Sequence, residues 1–202
     1  IFRANVPATC GKCHEGVEAR YLDGIHGTQM RKGNTFAPVC STCHTAHQIQ
    51  RVESDTWQLQ VLRECGRCHT ESIKTYRDTF HGQVTALGFV RTAACSSCHG
   101  AHEIFPKNDP RSTVSAKNIV ATCGKCHPGA TTQFARYDPH ADKHNKDRNP
   151  TLYYAARFMS SLLIFVFAFF GVHTTLWFGR ALALKRRNRS GAGRHTAEKN
   201  DE

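Results

Sequence analysis

Every cysteine of this 202-residue chain falls in a Cys-x-x-Cys-His motif, and there are five such motifs. They carry Cys10, Cys13 and His14; Cys40, Cys43 and His44; Cys65, Cys68 and His69; Cys95, Cys98 and His99; and Cys123, Cys126 and His127. This spacing is the attachment pattern of c-type haem. The two thiols add to the porphyrin edge as thioethers, and the following histidine reaches under the ring as the proximal iron ligand. A disulfide framework does not place a histidine after every second cysteine. Zinc sites need closed sets of four ligands, and five half-sites do not pair up. A thioredoxin-like redox pair would occur once, in an alternating strand and helix pattern.

Iron in haem has two axial positions, so five proximal histidines call for five partners. Internal repetition supplies them. Residues 10–27, 65–82 and 123–141 each open with a motif, carry an aromatic (Tyr21, Tyr76, Phe134) seven positions after its histidine, and have a second histidine next to last: His26, His81 and His140. Between them, the motifs at 40–49 and 95–104 have a histidine three positions on, His47 and His102. The region thus reads as a duplicated two-haem module, 10–49 and 65–104, plus a fifth, half-module haem at 123–144. His26, His47, His81, His102 and His140 are the candidate distal ligands. His144 competes for the last site, because the third unit carries Pro139 where the other two carry histidine. Methionine ligation is disfavoured: Met159 lies in an apolar span and Met30 has no counterpart in the second module. A histidine three positions after its neighbour cannot readily reach the opposite face of the same iron. His47 and His102 are therefore expected to serve a haem other than their own.

The elements that position these groups must be short. Five haems within residues 1–150 leave too little chain for a large aliphatic core. The expected fold is mainly α with much irregular structure, wrapped round the cofactors, with secondary-structure content below the globular average. Residues 53–64 read as a helix started near Ser54 or Asp55 and leading into the third motif. Residues 71–81 read as a helix closed by Gly82. The stretch 105–118, with Pro106, Asn108, Asp109 and Pro110, reads as a loop entering another short helix. Residues 141–150 form a polar linker.

Beyond that linker, no Asp, Glu, Lys or Arg occurs between Phe158 and Gly179. That run suffices for a transmembrane helix, which needs about 20 residues. The span is assigned to 151–184. Tyr153, Tyr154 and Trp177 lie near its ends, as an interfacial aromatic belt would. Arg180, Lys185, Arg186, Arg187, Arg189 and Arg194 follow it. The positive-inside rule then places the tail, 185–202, in the cytoplasm and residues 1–150 outside. Haem attachment in bacteria takes place outside the cytoplasmic membrane, so two arguments agree on a single-pass protein with a periplasmic haem domain. The chain begins at Ile1, and a removed or unnumbered export signal is expected. From Asn188 the tail is rich in Gly, Ser and charge and is expected to be mobile. The formal net charge of +11 does not argue for nucleic acid, since haem propionates offset it and pair with arginine.

The run of motif, aromatic at seven and His-Gly, followed by CxxCHxxHxI, resembles periplasmic multihaem cytochromes c associated with membrane cytochrome b in bacterial quinol oxidation. The resemblance covers about 10–180, including His-Thr-x-x-Trp from His173 to Trp177. More distantly, the chain is similar to the membrane-anchored quinol-dehydrogenase cytochromes of nitrate and nitrite respiration, which have an N-terminal anchor and usually four haems. Here the anchor is C-terminal and no cytochrome b helices follow. The resemblance implies that such helices come from another subunit.

A histidine in a membrane helix is costly and often functional. His173 reads as a contact for a quinone or for a haem b shared with a partner, or as a packing residue. The leading expectation is a pentahaem cytochrome relaying electrons between an integral-membrane redox subunit, of cytochrome b or quinone-oxidoreductase type, and an external acceptor or donor protein. Mostly bis-histidine haem leaves no catalytic residue to name. Two alternatives stand beside it. One is a redox enzyme with one five-coordinate haem, for which the fifth haem is the candidate because of Pro139. The other is a haem-bearing anchor subunit of a larger complex.

Overall fold

The computed structural model describes residues 1–198, with side chains described through 187. Two units result, Ile1–His140 and Ala141–Glu202. Among the described residues there is no strand.

The first unit is a succession of short helices. They are α1 (Val6–Gly11), α2 (Glu15–Asp23), α3 (Ile25–Arg31), α4 (Cys40–His44), α5 (Asp55–Cys68), α6 (Thr70–Arg77), α7 (Phe80–Ala86), α8 (Cys95–His99) and α9 (Ile119–Gly124). The duplication is structural as well as sequential. Helices α2, α3 and α4 begin at Glu15, Ile25 and Cys40, and α6, α7 and α8 begin at Thr70, Phe80 and Cys95, each 55 positions later.

Local chemistry sets the boundaries. Helix α5 starts where expected, with Ser54 as N-cap accepting a hydrogen bond from the Trp57 amide at 3.3 Å. The helix expected over 71–81 is instead two. Thr79 leaves helical geometry, donates its hydroxyl to the Tyr76 carbonyl (2.7 Å) and accepts from the Gly82 amide (3.1 Å). It thereby caps α7, and Gly82 lies inside that helix. Gly82 is needed for space: a β-carbon there would collide with the Tyr76 carbonyl, as one at Gly27 would with that of Tyr21. The His-Gly pairs of the repeat therefore mark a close helix crossing. The 105–118 segment is a loop, as read. It is pinned by Asn118, whose amide donates to the Pro110 and Ser112 carbonyls at 2.9 Å each.

The apolar interior is small. Tyr21, Ala37, Val39, Trp57, Leu62, Tyr76 and Phe105 are buried, whereas Phe36, Phe80, Leu87 and Phe89 are exposed. Module one docks on module two through backbone. The Ile25 amide donates to the Ile104 carbonyl at 2.7 Å. Gly24 lies so close to residues 102–104 that a β-carbon would meet the His102 carbonyl at 2.9 Å. Arg111 grips Asp23 at 3.0 and 3.1 Å and lies 4.0 Å over the Phe105 ring.

The second unit is one helix, α10 (Pro150–Glu198), preceded by the turns of 141–149. Its stretch Pro150–Arg187 contains an 18-residue window with a mean hydropathy of 2.0 and is long and apolar enough to cross a membrane. It runs past the expected end of the span. The tail expected to be mobile from Asn188 is helical through Glu198, and its residues 199–202 lie outside the described residues. Helix accounts for 59% of the chain, so the expected low content of regular structure does not hold. The 49-residue α10 is a large part of the reason.

Candidate functional site

Each motif is built on a helical turn, which gathers its thiols and its histidine. In motifs one, three and five the histidine amide bonds the carbonyl of the first cysteine: His14 to Cys10, His69 to Cys65 and His127 to Cys123, all at 3.0 Å. Motifs two and four are one-turn helices of their own, closed by a hydroxyl inside the motif. Thr42 Oγ1 accepts from the Val39 amide at 3.0 Å, and Ser97 Oγ from the Ala94 amide at 3.1 Å. This accounts for Thr and Ser where the other motifs carry Lys or Arg.

The aromatic at position seven ties neighbouring motifs together. Tyr21 donates to the Pro38 carbonyl at 2.8 Å, and Tyr76 to the Ala93 carbonyl at 2.9 Å. Each acceptor stands two residues ahead of the next motif. Burial, with the nearby Cys40 thiol, pushes Tyr21 up to about 12. The third unit has Phe134, which has no hydroxyl. Its ring lies 5.0 Å from that of His127.

The thiols form a file in chain order. The side chains of Cys10 and Cys40 lie together, as do those of Cys65 and Cys95. Cys43 feels Cys65 and Cys68, and Cys98 feels Cys123 and Cys126. The closest approaches link motif one to two and three to four; the looser ones link two to three and four to five. The neighbouring Cys95 holds the Cys65 thiol down, against burial, while burial pushes Cys40 and Cys43 up to about 11.

The histidines come together across the repeat. Ring centroids lie 6.3 Å apart for His26 and His69, 6.0 Å for His44 and His102, 6.0 Å for His81 and His127, and 6.2 Å for His99 and His140. Two imidazoles on opposite sides of one metal atom would have centroids about 6.2 Å apart, from metal–nitrogen bonds of about 2.0 Å and roughly 1.1 Å from nitrogen to ring centre. Each pair therefore has the spacing of two axial ligands, with a motif's thiols close by. Burial lowers the pKa of His26, His44, His81, His99 and His102, with the neighbouring histidines adding to it. The neutral imidazole so favoured is the form that binds metal. Among the described residues no group of three or more His, Cys, Asp or Glu gathers as a metal site. The pairs thus suit a cofactor that brings its own equatorial ligands.

Every facing pair joins two different repeat units. His102 lies across from His44 and not from His99, because the docking of Gly24 and Ile25 on residues 102–104 brings that segment against module one. His140 faces His99 in the fourth motif, so Pro139 does not deprive it of a place. The fifth motif's His127 has His81 across from it. His14 and His47 make no ring contact among the described residues. His144 belongs to the second unit, where its amide bonds Asp142 Oδ1 at 2.8 Å. His173 shares a shallow apolar groove on α10 with Phe165, Ala168, Phe169, Val172 and Leu176.

Two residues gained importance only with the structure. Trp57 is buried and stacks on His44 at 4.6 Å and 9°. Thr75 Oγ1 lies 3.1 Å from His140 Nδ1 and within bonding distance of the Glu71 and Ser72 carbonyls. With its hydroxyl proton given to a carbonyl, Thr75 accepts from Nδ1–H and leaves His140 Nε2 for a metal. Neither stands at a repeated sequence position, so repetition gave no signal for them. Comparison of the chain with family models, curated proteins and solved structures finds no match.

Proposed function

We propose that this chain is a membrane-anchored pentahaem c-type cytochrome, relaying electrons between an integral-membrane redox partner and an acceptor or donor protein outside the membrane. The observation that carries the reading is the set of four facing histidine pairs, each containing a Cys-x-x-Cys-His histidine and each at the spacing of two axial ligands. Each haem supplies a reversible one-electron step at its iron. The chain's own residues do the rest. The cysteines would hold each porphyrin edge, the facing histidine pairs would bind iron at four sites, and the buried imidazoles stay neutral. The sulfurs of Cys10 and Cys40, and of Cys65 and Cys95, lie together, which sets motif one beside two and three beside four, as transfer between neighbouring sites requires.

Helix α10 anchors the chain, with the basic residues after Arg180 on the cytoplasmic side and the first unit in the periplasm. One helix is too little to enclose a quinone. The membrane side is therefore a partner subunit of cytochrome b or quinone-oxidoreductase type, and His173, in the apolar groove of α10, is the candidate contact. Intact-mass measurement of the mature protein should show five haem additions; four or fewer would remove one motif from the reading. Reduction of the c-haem band by a menaquinol analogue should require the partner subunit and should slow in His173→Leu. Full-rate oxidation of quinol by the isolated chain would remove the partner requirement.

A further inference from the structure

The five-motif repeat leaves one motif histidine and one second histidine over: His14 and His47. We infer that the first site, built on His14, keeps one axial position of its iron open and binds a small neutral ligand of the class of carbon monoxide or free imidazole. This rests on the five-haem reading above and locates an open site within it.

Two observations carry it. The first is the half-burial of the second histidines that face a motif, His26, His81, His102 and His140, against the exposure of His47. The second is the reason His47 finds no motif histidine. Its counterpart His102 passes over the motif just before it and reaches back two motifs, to His44. It is held there by Gly24 and Ile25 against residues 102–104. The segment around His47 has no such dock: residues 46–49 are exposed. The turn leading into it rests on Thr45, which has a φ of 62° and a buried hydroxyl without a partner. The second histidine that follows the first motif in sequence is engaged elsewhere. His26 faces His69 from α3. Met30 lies one turn further along the same helix, where module two has Thr85, bonded to Tyr76.

The test is a carbon monoxide titration of the dithionite-reduced, full-length holoprotein, after intact mass has counted its haems. A haem count below five sinks the five-haem reading and leaves the titration without a subject. With five haems present, one carbon monoxide per chain is expected. His47→Ala and His144→Ala should still bind one. His26→Ala, His81→Ala, His102→Ala and His140→Ala should each bind two, because each opens a further iron. No binding by the parent overturns the inference, and a rise to one in His47→Ala would make His47 the missing ligand. A count that stays at one in any of the other four variants places the open iron at that variant's own site and also overturns it. Should an alanine variant lose a haem, the parent still decides. Its oxidised form should show high-spin iron equal to one haem in five by electron paramagnetic resonance, converted to low spin by free imidazole. Absence of that signal overturns the inference.

Discussion

Module one (10–49) and module two (65–104) have one scaffold and two sets of surroundings. Tyr21 and Tyr76 make the same clamp, Thr42 and Ser97 close the same one-turn helix, and Gly33 and Gly88 end α3 and α7 with φ of 84° and 92°. The modules part at three places. Glu18 lies against Gly11 where Ile73 lies against Gly66. Thr45 (φ 62°) occupies the turn that Gly100 (φ 81°) occupies in module two. His14 faces no ring, whereas His69 faces His26. The positions kept alike hold the motifs at fixed spacing; those that differ alter charge, strain and histidine pairing round the first motif. Duplication here preserved geometry and released environment.

The strongest way to break this comparison is at the helix crossings. Gly27→Ala and Gly82→Ala each drive a β-carbon into a backbone carbonyl, and such overpacking costs about 3 kcal/mol. Equal falls in the denaturation midpoint, followed by far-ultraviolet circular dichroism, are expected. A loss at only one would show that the crossings are not equivalent.

The turn comes next. A non-glycine residue with positive φ and extended ψ costs on the order of 1–3 kcal/mol. Thr45 has ψ −177° and Gly100 ψ 173°. Thr45→Gly should therefore stabilise the protein by about 2 kcal/mol, and Gly100→Thr should destabilise it by a similar amount. A neutral Thr45→Gly would mean that Thr45 is not strained in solution.

The clamp is smaller. Tyr21→Phe should cost about 1 kcal/mol for the lost hydrogen bond. Tyr76→Phe should cost more, since the Tyr76 hydroxyl also meets Thr85 Oγ1 at 3.1 Å. Tyr21 adds a pH signature. Its pKa is about 12 in the fold against about 10 unfolded. The folded state holds the proton more tightly, so this contribution is complete below the unfolded value and is lost as pH rises toward the folded one. Midpoints measured across that window should fall less in Tyr21→Phe than in the parent.

The smallest effect is electrostatic. On the proposed five-haem reading, a carboxylate beside the first motif would favour oxidised iron there, so Glu18→Ile should raise one haem potential and Ile73→Glu should lower another. Each shift corresponds to about 1 kcal/mol, the size of a charge interaction in watery surroundings. Stepwise potentiometry reads both, and unchanged potentials would make the Glu18 difference silent.

Much of this was legible in the sequence because it is local. The motifs, the repeat, the Ser54-capped start of α5 and the apolar run of α10 each declare themselves within a few turns of chain. The break between α6 and α7 was missed because Gly82 reads as a helix end, whereas its role is to admit the Tyr76 carbonyl. The length of α10 was missed because Gly and Ser after Asn188 read as loose chain, although the backbone stays helical through Glu198. The partnership of histidines lay beyond reach, since each facing pair joins units far apart in sequence. What directs His102 to His44 is a glycine in module one lying against a backbone in module two.

That pairing carries a timetable. Protein chains emerge N-terminus first, and early segments organise before late ones appear. His26 precedes His69, and His81 precedes His127, so the third and fifth sites have both histidines as soon as their own motifs are out. His44 must wait for His102, and His99 for His140, the last residue of the first unit. During synthesis, the third and fifth sites find a waiting partner and the second and fourth are held half-finished. The fourth is completed only when the chain has reached the threshold of its anchor.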